Sequence, residues 1–85
     1  LGVLICGSGN GMVIAANRYH NVRAALCLNA EMAVLARKHN DANILVLGAD
    51  FIDYNEAISC LNVFIETVFE GGRHARRVGK INCGG

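Results

Sequence analysis

At 85 residues the chain has room for one small domain, and 53% of it is hydrophobic, with ten glycines and no proline, an apolar-rich mix that leaves no space for a polar linker. A net charge of +1 excludes a strong field over the whole molecule, and no apolar run approaches the ~20 residues needed to span a bilayer. Leu1 is not an initiator methionine, no signal-peptide pattern precedes Gly2, and Leu1 already belongs to an apolar run. The chain is therefore expected to be part of a larger single domain, with the remainder or a partner chain covering the surplus apolar surface.

Gly2 to Cys6 (GVLIC) predicts a fully buried strand, since it is short, continuous, apolar and closed by a glycine turn. Residues 11 to 18 (GMVIAANR) follow as a short helix, apolar nearly all round and so buried on most sides. Val22 to Cys27 (VRAALC) is a second strand. Asn29 is placed to cap a helix from Ala30 to about Lys38, with Met32, Leu35 and Ala36 as its stripe. Ile44 to Leu47 (ILVL) is a third buried strand, closed by Gly48. Asp53 with Glu56 three residues on resembles a capping box. The helix it starts carries Ile58, Leu61, Ile65 and Val68 on one face and is stopped by Gly71-Gly72. The basic residues Arg73, Arg76, Arg77 and Lys80 then crowd into a tail with the spacing for one more short helix. Alternation of strands and helices with short connections means an α/β fold with a parallel sheet, helices flanking it and right-handed crossovers.

Open parallel sheets bind ligands beyond the carboxyl ends of their strands. Three such ends are visible, at Cys6 to Gly11, Cys27 to Asn29 and Gly48 to Asp53. The first is the richest in chemistry. Glycines at 7, 9 and 11 let the backbone approach a ligand, and a helix N-terminus follows at once. The loop is neither a P-loop nor a dinucleotide fingerprint, because Met12 stands where the third glycine belongs. A bare structural turn explains such a loop equally well. A helix N-terminus favours the thiolate of a nearby cysteine, so Cys6 is a candidate base or nucleophile, set against an inert strand-end cysteine. Ser8 is a candidate hydroxyl donor to an oxyanion, set against an ordinary turn serine.

His39-Asn40-Asp41 lies where the second helix ends, and His39 is a candidate acid or base there. The plainer account makes it a helix-end histidine beside a left-handed Asn40. Arg73 and Arg77, four apart, would share a helix face suited to a phosphate, or form a solvated tail. With so few basic residues, nucleic acid is not an expected partner. The four cysteines, Cys6, Cys27, Cys60 and Cys83, show no C-x-x-C and no close Cys/His spacing. Reduced thiols in the cytoplasm are expected rather than a disulfide framework or a zinc site.

Taken together, GVLICGSGNGMVIAANR, VRAALC, HNDAN with LVLGA, and FEGGRHARRVGKI resemble the C-terminal half or more of ribose-5-phosphate isomerase B, a family that includes the galactose-6-phosphate isomerase subunits. The likeness runs in order over nearly all of residues 1–85. It implies a Rossmann-like α/β domain and interconversion of ribose 5-phosphate and ribulose 5-phosphate through an enediolate, with no metal or organic cofactor. By the same resemblance Cys6 matches the catalytic base, and Gly7, Ser8, Gly9, Asn10 and Gly11 match the loop that binds the sugar and its oxyanion. His39 matches the acid that assists ring opening, Asn40 a sugar-binding amide, and Arg73 and Arg77 the phosphate ligands. It also implies a homodimer or tetramer with active sites near subunit contacts, and no membrane partner.

The chain departs from the family pattern at Asn10, where an aliphatic residue is usual, and at Asp50, where an arginine is usual. An Asp-His pair expected after an earlier strand has no counterpart in these residues. Alternatives that the resemblance leaves open are a hexose-phosphate isomerase and an inactive sugar-phosphate-binding or oligomerisation module. A nicotinamide-binding half-domain is disfavoured by the incomplete fingerprint.

Overall fold

The apolar runs lie side by side as three parallel strands, β1 (Gly2–Cys6), β2 (Ala24–Leu26) and β3 (Ile44–Gly48), in the order β1-β3-β2. The computed structural model describes residues 1–71, 78 and 79. Helices α1 (Asn10–Ala16), α2 (Ala30–Asn40) and α3 (Tyr54–Glu66) alternate with the strands. The chain steps from β1 across β3 to β2, then returns to β3. If each crossover takes the usual right hand, that reversal puts α1 on one face and α2 on the other. The packing agrees: α2 and α3 pack on each other, while α1 packs on the strands. This is the expected Rossmann-like α/β arrangement.

Central β3 is the most buried strand because it has a neighbour on each side and helices on both faces. Leu45 and Leu47 join Cys27, Ala33, Ala36, Ala42, Cys60 and Phe64 in one core under α2 and α3. Val46, on the other face, is also fully buried. The register aligns Val3 with Leu45 and Ile5 with Leu47, so both β1 residues share the α2/α3 face. Those helices do not reach over β1, and Val3 and Ile5 are 42% and 65% exposed. The expected fully buried first strand is thus only half covered. An apolar run reports that a strand prefers burial, not that a neighbour is present.

Helix α1 differs in the same way: it has no buried residue, and Ile14 is 66% exposed. Beside it an apolar hollow of about 380 Å³ opens between Met12, Ala15, Ala16 and Tyr19 on one side and Gly2, Val3 and Leu4 on the other.

The helix starts follow their caps. Asn29 Oδ1 accepts from the Met32 N–H at 2.9 Å, and Asp53 Oδ1 from the Glu56 N–H at 2.8 Å. Glu56 does not close the reciprocal half of a capping box. Its Oε1 instead accepts from the Ala30 N–H at 2.8 Å, tying the N-terminus of α3 to that of α2. Helix α2 runs to Asn40, and Asp41 rather than Asn40 takes the left-handed turn, with φ 47°. Arg23 and Arg37 hold the Asp41 carboxylate there at 3.2 and 3.0 Å. Helix α3 stops at Glu66, well before Gly71. Arg37 Nε donates to the Thr67 carbonyl at 3.1 Å, and the Glu70 N–H to the Lys38 carbonyl at 3.1 Å, so contacts with α2 draw the chain out of helical geometry. The proposed basic-tail helix and Cys83 lie outside the described residues.

Candidate active site

Where β1 and β3 end side by side, their chains leave in opposite directions, β1 towards α1 and β3 towards α3. Such a reversal opens a crevice at the carboxyl edge of a parallel sheet. Its walls here are Cys6-Gly7-Ser8 and Gly48-Ala49-Asp50. Backbone hydrogen bonds join the two walls at the base: the Ala49 N–H donates to the Cys6 carbonyl at 2.7 Å, and the Asp50 N–H to the Gly7 carbonyl at 2.9 Å.

Glycines make this approach possible, but not all for one reason. Gly9 caps α1 with φ 85°, in left-handed space, and a Cβ there would strike Leu26 Cδ1. A Cβ on Gly48 would stand 2.6 Å from the Ser8 carbonyl oxygen. Gly48 was legible in the sequence only as a strand terminator; its close packing under the first loop is a tertiary fact. Around Gly11 there is open space within 4 Å, so no protein neighbour demands glycine at that position.

Cys6 is half-buried at the end of β1, paired in register with Gly48. Ser8 is exposed, and its Oγ accepts from the Asn10 N–H at a long 3.4 Å. The first intrahelical bond of α1 is the Val13 N–H to the Gly9 carbonyl at 3.0 Å. The N–H groups of Gly11 and Met12 precede it and need acceptors from outside the helix. The arrangement therefore offers a thiol, a hydroxyl and outward-facing N–H groups around one crevice, which suits a reaction that develops negative charge on oxygen next to a carbon acid. Among the described residues no set of three His, Cys, Asp or Glu side chains is placed to hold a metal ion.

The other described thiols lie in the core. Burial pushes the Cys27 thiol up to about 11, with nearby Cys60 adding to the effect. Burial also raises Cys60, with Glu56 contributing. Both stay protonated at neutral pH.

Cys6, Gly7, Ser8, Gly9, Asn10 and Gly11 come together at this crevice, whereas His39 and Asn40 do not. They occupy the last turn of α2, and the chain then enters β3 through Asn43, whose carbonyl accepts from the Gly2 N–H at 2.8 Å. That is the amino edge of the sheet, and the rise of a five-residue strand, about 13 Å, separates it from Cys6. The sign was available in the sequence: a helix between parallel strands runs antiparallel to them, so its C-terminus lies at the opposite edge. Around Asn40 a second hollow, of about 310 Å³, is lined by Asn17, Arg23 and Ala24. Arg73 and Arg77 lie outside the described residues.

Comparison with known proteins agrees with this architecture. The model of the ribose/galactose isomerase family matches residues 1–81. A probable ribose-5-phosphate isomerase B of Mycoplasma pneumoniae is 48% identical over 81 residues, covering 95% of this chain and 53% of that protein. The structure of ribose 5-phosphate isomerase B from Anaplasma phagocytophilum superposes with a TM-score of 0.92 at 57% identity, over 95% of this chain and 56% of that one. The isomerase B of Mycoplasma genitalium, solved with bound ribulose 5-phosphate, gives a TM-score of 0.94 at 46% identity, over 98% and 55%. The chain thus spans about half the length of the curated relatives it matches. With the strand order, the glycine loop and the family match in agreement, the chain belongs to the ribose/galactose isomerase family.

Proposed function

We propose that the chain is the C-terminal part of an aldose–ketose isomerase that interconverts ribose 5-phosphate and ribulose 5-phosphate. One observation carries the assignment: the Cys6 thiol stands at the crevice between β1 and β3, beside the outward N–H groups of the glycine loop, in a chain of this family. The Cys6 thiolate takes the proton from C2 of the open-chain aldose. The electron pair moves to the carbonyl oxygen and gives an enediolate. Ser8 and the loop N–H groups, with Asn10 and its neighbouring glycines against the sugar, stabilise that oxyanion. The proton then returns to C1 while the O2 hydroxyl proton passes to O1, which yields the ketose, so atoms and charge balance without a redox cofactor.

In this scheme His39 assists ring opening, Asn40 holds a sugar hydroxyl, and Arg73 and Arg77 bind the phosphate. His39 cannot reach Cys6 within one chain, so a second copy supplies it: the active form is a homodimer, or a tetramer of such dimers. The exposed Val3, Ile5 and Ile14 support a larger assembly, and residues 1–85 alone are not expected to turn over substrate. Among the described residues no helix is long and apolar enough to cross a membrane, and a reducing, cytoplasmic setting suits the free thiols. The family description also names galactose, so a hexose phosphate is the second reading, separated by comparing kcat/KM for five- and six-carbon substrates.

Cys6→Ala in the full-length enzyme tests the assignment. It is expected to leave KM within a few-fold and to cut kcat by about 10²–10⁴, the usual cost of losing a general base. Exchange of the substrate's C2 proton with labelled water should vanish with it. Cys60→Ala, which opens a hole in the core, should lower stability and spare turnover. Wild-type kcat in the Cys6 variant would leave the thiol a strand-end residue.

A further inference from the structure

Asp41 holds its place against two local preferences. Its φ of 47° is left-handed, a region that glycine enters more cheaply. It is also an acidic residue at the C-terminal end of α2, where the helix dipole favours cations such as Arg37, Lys38 and His39 of the last turn. What retains it is a pair of largely buried arginine side chains. Arg37 Nη1 stands 3.0 Å from Oδ1 and donates to the Ala42 carbonyl at 2.6 Å. Arg23 Nη2 stands 3.2 Å from Oδ2, and Arg23 Nε donates to the Asp41 carbonyl at 2.8 Å. Arg23 is fixed in turn to the entrance of β3. Its N–H donates to Asn43 Oδ1 at 2.8 Å, and its carbonyl accepts from the Asn43 N–H at 2.9 Å.

This clamp is built on the residue that directly follows His39 and Asn40. The last carbonyls of a helix lack intrahelical partners, and an end without outside support frays. We propose that Asp41 is a positioning residue: gripped by Arg23 and Arg37, it holds the last turn of α2 so that His39 and Asn40 meet the sugar in one orientation. The proposal rests on the isomerase reading given above and names the support that its ring-opening step needs. A displacement of about 1 Å is enough to cost about 10²-fold where reacting groups must be aligned. Ring opening concerns one of the two substrates. Ribose 5-phosphate closes a five-membered ring through O4. In ribulose 5-phosphate O5 is esterified and O4 would close a four-membered ring, so the ketose enters open.

The test is Asp41→Gly in the full-length enzyme, because glycine accepts the left-handed turn and takes away the carboxylate. Its kcat on ribose 5-phosphate should fall about 10- to 100-fold, the cost of misaligned groups. Exchange of the C1 protons of saturating ribulose 5-phosphate with labelled water should stay within about threefold of wild type, because it needs the Cys6 base and no ring opening. Asp41→Asn, which keeps one acceptor oxygen, should fall between the two enzymes. Equal losses of turnover and exchange would make Asp41 a support of the whole fold, and unchanged turnover would make the clamp irrelevant. Either result overturns the proposal. The His39 imidazole signals in NMR give a readout that needs no turnover: one sharp set in wild type, broadened or multiplied in Asp41→Gly. If the wild-type enzyme isomerises no sugar phosphate, the underlying reading fails, and these signals still decide the clamp. Altered signals support it, and identical signals in the two proteins overturn it.

Discussion

The three described cysteines have the same side chain but two different environments, and environment decides their chemistry. Cys27 and Cys60 sit in the core under α2 and α3, while Cys6 ends a half-covered strand at a ligand-accessible edge. Because burial raises the Cys27 thiol to about 11 from the ordinary 9.0, the folded protein keeps a proton there that the unfolded chain releases first. Stability from this group is complete below pH 9 and is lost as pH rises towards 11. Cys27→Ala in the full-length enzyme is expected to lower stability at pH 7 yet flatten its decline over that window, as read by urea unfolding at several pH values. An unchanged slope would mean that Cys27 does not govern the alkaline limb. The sequence placed Cys27 and Cys60 in apolar segments correctly, but nothing local distinguished Cys6 from them except the glycines that follow it. Asp50 could be noticed in the sequence only as an unusual residue; its position over Gly7 depends on two hydrogen bonds between separate loops.

Elements were legible where their signals are local. Asn29 and Asp53 cap α2 and α3 as their side chains predict, and each strand core falls within its apolar run. Ends set by distant contacts were not. The halt of α3 at Glu66 depends on Arg37 and Lys38 from α2, and the carboxylate of the left-handed Asp41 is held by Arg23 from a distant segment as well as by Arg37 one turn back. Glu56 shows how elements are tied together: its carboxylate satisfies an orphan N–H of α2 from the first turn of α3, where an acidic side chain also suits the helix dipole. Glu56→Ala in the full-length enzyme should therefore cost about 1.5–3 kcal/mol, the range for a charge-assisted bond. Glu56→Gln, which keeps an acceptor, should cost clearly less. Equal losses in chemical denaturation would show that a neutral hydrogen bond to Ala30 contributes nothing and that the charge does.

At the scale of the whole molecule, the sheet separates two groups of candidate residues. The carboxyl edge carries Cys6, Ser8 and the glycine loop; the amino edge carries His39 and Asn40. Among the described residues the two groups lie at opposite edges of the sheet, and Val3, Ile5 and Ile14 stay exposed. The division was implicit in the sequence, because a helix between parallel strands ends at the edge opposite the one where the strands end. The proposed site joins Cys6 of one copy with His39 of another. Its most direct measurement is ribose 5-phosphate turnover after mixing and reassembling two inactive full-length variants, Cys6→Ala and His39→Ala. Random pairing leaves one intact site in each mixed dimer, so about a quarter of wild-type activity should return. Activity no higher than the sum of the two separate variants would contradict a site shared between copies.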